Sequence, residues 1–298
     1  MASEARGWQG FKAFLEMIKV EHSIFALPFA MVGMMWASRT AGLGLFPGWR
    51  VFGLIVVAMV SCRSAAMAWN RIADRDIDAL NPRTRSRAIP SGILSLRTAN
   101  IYFYASVVVF LSAAAFLNPL ALALAPVALL VTLGYSMTKR FTPLCHFVLG
   151  FGLGMAPAAA WVAVQGSLAW EVLPLVGAVM CWTAGFDIIY SLQDEEFDSG
   201  QGLHSLPQAV GKARALWVSR FCHIAAVLLL AWSVVLMGGW LVALAGVVFA
   251  AGILVYEQSL VKPDDLSRVN LAFFTLNGFV SIGVFLFIWV DWAVRHWL

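Results

Sequence analysis

Charge is scarce in this chain. Only 12% of its 298 residues are Asp, Glu, Lys or Arg, against 61% hydrophobic, where a soluble globular domain carries about 25% charged residues. That shortage excludes an ordinary water-soluble fold. Strict apolar–polar alternation is also missing, which excludes a membrane β-barrel. Cysteine is sparse. Cys62, Cys145, Cys181 and Cys222 lie in or near apolar segments without metal-ligand spacing, so they are expected to be small buried hydrophobes rather than disulfides or zinc ligands. No cleavable leader is expected either, because residues 1–19 contain Glu4, Arg6, Lys12, Glu16 and Lys19. The formal charge of +4 belongs to membrane topology rather than to nucleic acid.

What is present is a series of apolar runs near the ~20 residues that span a bilayer. The expected fold is an all-α membrane protein of nine spans in a single domain over 1–298. The spans fall near 20–38, 50–69, 99–117, 119–138, 142–164, 169–192, 215–236, 238–256 and 270–291. The loops on one side then hold 16 of the basic residues: Arg6, Lys12, Lys19, Arg71, Arg75, Arg83, Arg85, Arg87, Arg97, Lys139, Arg140, Lys212, Arg214, Arg220, Lys262 and Arg268. The other side holds 3, Arg39, Arg50 and Arg295, and Arg63 falls within the second span. This imbalance puts the N-terminus in the cytoplasm of a bacterial-type inner membrane and the C-terminus outside. The segments after spans two and six, about 70–98 and 193–214, are long and polar and read as a cap over a cytoplasmic site. Asn118-Pro119 and Gly238-Gly239 read as tight turns.

Two acidic clusters stand where apolar runs end. In the first, Asn70, Asp74 and Asp78 step four residues at a time, drifting about 40° per step and forming one oxygen-rich stripe; Asp76 points the other way and Arg63 lies two turns deeper. In the second, Asp194 and Asp198 repeat the spacing, Tyr190 lies a turn deeper, and Glu195 and Glu196 fall off the face. Asp74 to Asp194, Asp78 to Asp198 and Asn70 to Tyr190 are each 120 residues apart, which hints at a duplicated four-helix unit. One such cluster alone reads as a solvated helix end. Two suggest a pair of divalent-metal sites facing one another, since Mg²⁺ takes one or two carboxylates plus substrate phosphates.

Asp187 lies within an apolar run, where a carboxylate needs a partner or a task. It would orient a substrate hydroxyl, accept a proton, or pair structurally with Arg63. Lys139, at a helix end above Tyr135, is the better candidate for a diphosphate ligand, with His204 and Lys212 weaker ones. His22, Cys145, His146 and His223 each stand alone and read as structural. Asn270 and Asn277 share a helix face and read as interhelical hydrogen-bond partners.

These motifs resemble those of the UbiA superfamily of intramembrane prenyltransferases, over nearly the whole chain. Asn70, Asp74 and Asp78 match its first acidic signature. Asp187, Tyr190, Gln193, Asp194 and Asp198 match the second, and Tyr135, Lys139 and Arg140 a Tyr-x-x-x-Lys-Arg element. Asn81-Pro82-Arg83-Thr84, Arg87 to Gly92 and Gly202 to Pro207 are also similar to family segments. The resemblance implies a nine-helix fold and Mg²⁺ held by Asp74, Asp78, Asp194 and Asp198. It implies a polyprenyl diphosphate contacted by Asn70, Arg71, Lys139 and Arg140, with Asp187, Arg63 and Tyr190 serving the chemistry on an aromatic acid acceptor. Arg71 stands where the first signature often has Asp, so it either leaves that side one carboxylate short or turns to phosphate. The stretch Met17 to Pro28 looks less like the family's 4-hydroxybenzoate enzymes than like relatives assigned to menaquinone synthesis through the futalosine route. Haem and chlorophyll prenylation stay open within the family. A cation transporter would place polar groups toward the far side as well, and the Asp-Gly-x-x-Ala-Arg signature of CDP-alcohol phosphotransferases is absent.

Overall fold

The computed structural model describes residues 8–18 and 25–297. Lys19, Glu21 and His22, with the beginning of the first expected span, lie outside them. Every regular element among the described residues is helical, and one isolated bridge pairs Lys262 with Asp265. Eight segments are long and apolar enough to cross a membrane. They correspond to the second to ninth expected spans, with most ends shifted by a few residues and the end of the sixth by nine, from 192 to Gln201. In the first, α2 (Leu27–Thr40) has 14 described residues.

The chain divides into two compact units, one formed by residues 1–23 and 53–137, the other by 24–52 and 138–298. The first unit is built from α1 (Trp8–Ile18), α3 (Trp49–Ala73), α4 (Arg75–Leu80), α5 (Leu96–Leu117) and α6 (Pro119–Thr138). Its core is made of small residues between larger ones: Phe14, Met17 and Ile18 of α1 pack on Ala65, Ala68 and Ile72 of α3 and on Ala99 and Phe103 of α5. Ser95 caps α5 by accepting the Thr98 N–H at 3.2 Å. The outward positions of α5 and α6, such as Val108 and Leu130, remain exposed and apolar, as a lipid-facing surface requires.

The second unit contains α2, α7 (Cys145–Gln165), α8 (Leu173–Ser191), α9 (Glu195–Gln201), α10 (Leu206–Val210), α11 (Lys212–Leu236), α12 (Leu241–Leu260) and α13 (Asn277–Trp297). Helix α8 is its centre. The span that includes it is 72% buried, against 11% for α6. Gly150 and Gly154 of α7 let that helix approach: a Cβ at either would strike the α8 backbone at Met180 or Val176. Small residues four apart give close helix contact in a membrane.

A π-helical turn, Leu271–Leu276, opens the last span. It carries an extra residue per turn, so Asn270 and Asn277 do not share a face as expected. Asn270 is exposed. Asn277 is fully buried and does bond between helices: Trp182 Nε1 donates to its Oδ1 at 2.6 Å, and its Nδ2 donates to Glu257 Oε1 at 3.3 Å and to Ala272 O at 3.0 Å.

Candidate active site

The two acidic clusters have the same local build, one in each unit. Helix α3 ends at Ala73 and α4 begins at Arg75, with Asp74 between them at φ −95°, ψ 5°. The 3₁₀ turn that ends α8 gives way to α9 at Asp194, with φ −101°, ψ 0°. These are bridge-region conformations, sparsely allowed and frequent at active sites. Four residues on, Asp78 and Asp198 are both buried, at 6% and 0% exposure, and each faces a basic side chain. Arg87 Nη1 reaches both oxygens of Asp78 at 2.7 Å. Lys139 Nζ lies 2.7 Å from Asp198 Oδ1, a charge contact out of hydrogen-bond alignment.

The first stripe survives its break. Asp78 N–H still donates to Asp74 O at 2.7 Å. Asn70 Nδ2 donates to Asp74 Oδ2 at 3.0 Å, and Arg71 Nη1 to Asn70 Oδ1 at 3.0 Å, so Arg71 braces the amide that braces the carboxylate. Asp76 is exposed beside Arg75. Arg63 lies half-buried within α3. Arg87 is the residue that loop composition concealed, since its sequence context reads as one more cytoplasmic charge.

In the second unit Asp194 is buried, Glu196 is exposed and Glu195 pairs with Lys212 at 3.4 Å. Arg140 and His204 are exposed. Tyr190 packs under the π turn, its ring 4.2 Å from Phe273 and 6.0 Å from Phe274, and Phe273 in turn meets Phe186 at 5.3 Å and Phe25 at 6.0 Å. Asp187 thus projects from a helix whose neighbouring positions are walled by rings. Its partner is His146, Nδ1 to Oδ2 at 2.7 Å, so His146 does not stand alone as its sequence context implied.

Each cluster offers oxygen donors only. Among the described residues no three His, Cys, Asp or Glu side chains converge. Two carboxylates per cluster fit Mg²⁺, a hard cation that keeps several waters and completes its shell with phosphate oxygens.

Among its described residues the molecule is all-helical, with eight segments able to cross a membrane and two carboxylate pairs built alike. The UbiA prenyltransferase family matches over residues 26–283. A 4-hydroxybenzoate octaprenyltransferase from Serratia proteamaculans is 31% identical over 268 residues, covering 88% of each chain. Another from Aliivibrio salmonicida is 29% identical over 92% of this chain and 96% of the relative. Among solved structures, a UbiA homologue from Aeropyrum pernix in its apo form is 38% identical, with a TM-score of 0.82 over 91% of this chain and 98% of that one. A homologue from Archaeoglobus fulgidus bound to GPP and Mg²⁺ shares the fold at a TM-score of 0.72 and 20% identity, over 94% and 99%. The chain belongs to the UbiA prenyltransferase family, and it is a prenyltransferase.

Proposed function

We propose that this chain transfers a polyprenyl group from polyprenyl diphosphate to a hydroxylated aromatic acid, 4-hydroxybenzoate or 1,4-dihydroxy-6-naphthoate, in ubiquinone or menaquinone synthesis. The observation that carries the reading is the repeated build of the two acidic ends, each with an aspartate at a helix break and a buried aspartate four residues later. Relatives named for transfer to 4-hydroxybenzoate, and a homologue bound to GPP and Mg²⁺, support it.

Asp74, Asp78, Asp194 and Asp198 would hold Mg²⁺. The ion, when bound, neutralises the diphosphate leaving group and so eases ionisation of the allylic C–O bond. Asn70, Arg71, Lys139 and Arg140 serve the diphosphate oxygens. Lys139, already beside a carboxylate, can turn its ammonium to phosphate without losing a charge partner. Asp187, Arg63 and Tyr190 serve the acceptor, whose electron-rich ring carbon attacks the allylic carbon and then loses its proton to regain aromaticity. The rings of Phe186, Tyr190 and Phe273 keep water from the reacting carbon. The prenyl tail is as apolar as the bilayer and enters from it.

Membranes containing the protein, given a polyprenyl diphosphate, Mg²⁺ and each acceptor in turn, are expected to yield prenylated product by mass. EDTA is expected to abolish it, and Asp74→Asn to lower the rate on the order of 100-fold, equivalent to ~2.7 kcal/mol of barrier. Folded protein that gives no product from either acceptor across several tail lengths overturns the assignment.

A further inference from the structure

We propose that His146 is a positioning residue for prenyl transfer, holding Asp187 with one oxygen presented to the acceptor's hydroxyl; this rests on the aromatic-acid reading above. His146 is the second residue of α7 and only 3% exposed. Its two ring nitrogens have different partners. The Leu206 N–H, at the N-terminus of α10, donates to Nε2 at 3.3 Å, so Nε2 carries the lone pair. The network thereby assigns the proton to Nδ1, which donates to Asp187 Oδ2 at 2.7 Å.

Three separated segments are tied through one imidazole: α7, α8 and the start of α10. The segment ahead of α10 is itself docked on the residues leading into α7, with His204 N–H donating to Lys139 O at 2.7 Å and Cys145 Sγ 3.7 Å from His204 O. Ser205 caps α10 by accepting the Gln208 N–H at 3.4 Å. The imidazole is therefore fixed in place and tautomer before any substrate arrives.

Asp187 is fixed on one side only. Its side chain is 16% exposed, and Oδ1 makes no hydrogen bond among the described residues. A carboxylate with one oxygen bonded to a buried histidine and the other open is prepared to accept a hydrogen bond from a hydroxyl. A phenol or naphthol places such a donor on the ring that is to be prenylated. Misplacing that contact by an ångström costs on the order of 100-fold in rate.

Two substitutions separate positioning from mere packing. His146→Asn puts an N–H donor near the place of Nδ1 and gives up the Leu206 contact. His146→Gln puts an acceptor near the place of Nε2 and gives up the Asp187 contact. The assay uses geranyl diphosphate with 4-hydroxybenzoate and with 1,4-dihydroxy-6-naphthoate, and kcat and KM are determined for donor and acceptor separately. Gel filtration and thermal unfolding in detergent establish that both variants are folded. The expected result is that the Asn variant keeps acceptor kcat/KM within roughly threefold of wild type, while the Gln variant loses roughly tenfold or more with the donor KM unchanged. Product from wild type with the Gln variant undiminished, with both variants equally impaired, or with the loss lying in the donor KM, overturns the positioning role alone. Absence of product from the wild type overturns the acceptor reading itself, and this role with it.

Discussion

At the scale of single residues, one heavily committed polar group outside the acidic clusters is Asn277. It accepts from Trp182 and donates to Glu257, and all three side chains are buried in the second unit. Removing one partner from a buried pair leaves the other unsatisfied, at about 1–3 kcal/mol per group. Asn277→Ala is therefore expected to lower stability by roughly 2–4 kcal/mol, read from unfolding in detergent micelles. The same change made in a Glu257→Leu background should cost clearly less, because the carboxylate it would strand is already gone. Additive losses would show that Asn277 and Glu257 are not coupled. Glu257 also shows how much single residues revealed beforehand. The eighth span is expected to stop at 256, one residue short of Glu257. The helix runs to Leu260 and carries Glu257 inside. By contrast, the four-residue spacing of Asp74 with Asp78, and of Asp194 with Asp198, needs no tertiary information, because residues four apart share a face wherever a helix forms.

Among the elements, positions were legible and seams were not. Apolar length alone located eight spans. Which helix is central depends on close approach, and the signal for that, Gly150 and Gly154 one turn apart in α7, lies in the sequence as a pattern that many lipid-facing helices also carry. The π turn had no local signature at all. It shifts register within a run of apolar residues, and the face shared by Asn270 and Asn277 disappears with it. Likewise, nothing in one dimension pairs His146 with Asp187 across 41 residues. The seam itself is testable. Gly154→Val would drive a branched side chain into the α8 backbone at Val176 and is expected to cost roughly 1–3 kcal/mol or more, seen as a lower melting temperature and poorer recovery from detergent. Gly134→Ala in α6, where a Cβ meets open space, should leave melting unchanged or raise it slightly, since alanine is the better helix former. Equal effects from the two would remove the argument that α7 and α8 are held by close contact.

For the molecule as a whole, sidedness is testable within the second unit. The basic residues expected outside are few, and two of them are structurally engaged at the α11–α12 turn. Arg39 Nη1 donates to Met237 O at 3.3 Å and stacks 4.6 Å from the Trp292 ring. Arg295 donates to Gly238 O and pairs with the buried Asp291 at 2.7 Å, and Asp291 in turn accepts the N–H groups of Trp240 and Ala243 at the start of α12. A charge held in such a network has a local reason to be there, so it weighs little against the 16 basic residues of the opposite loops. At the other end of α12, the turn toward α13 exposes Lys262 and Arg268 with no such network, as cytoplasmic anchors do. Cysteines introduced at Arg50 and at Asp264, both exposed, should then report opposite faces in a background lacking the four native cysteines. A membrane-impermeant maleimide is expected to label Arg50→Cys in right-side-out vesicles and Asp264→Cys in inverted ones. The reverse pattern would place the α12–α13 turn outside. It would also undo the charge argument, since it would leave the basic-rich loops on the face that the Lys/Arg bias assigns to the outside.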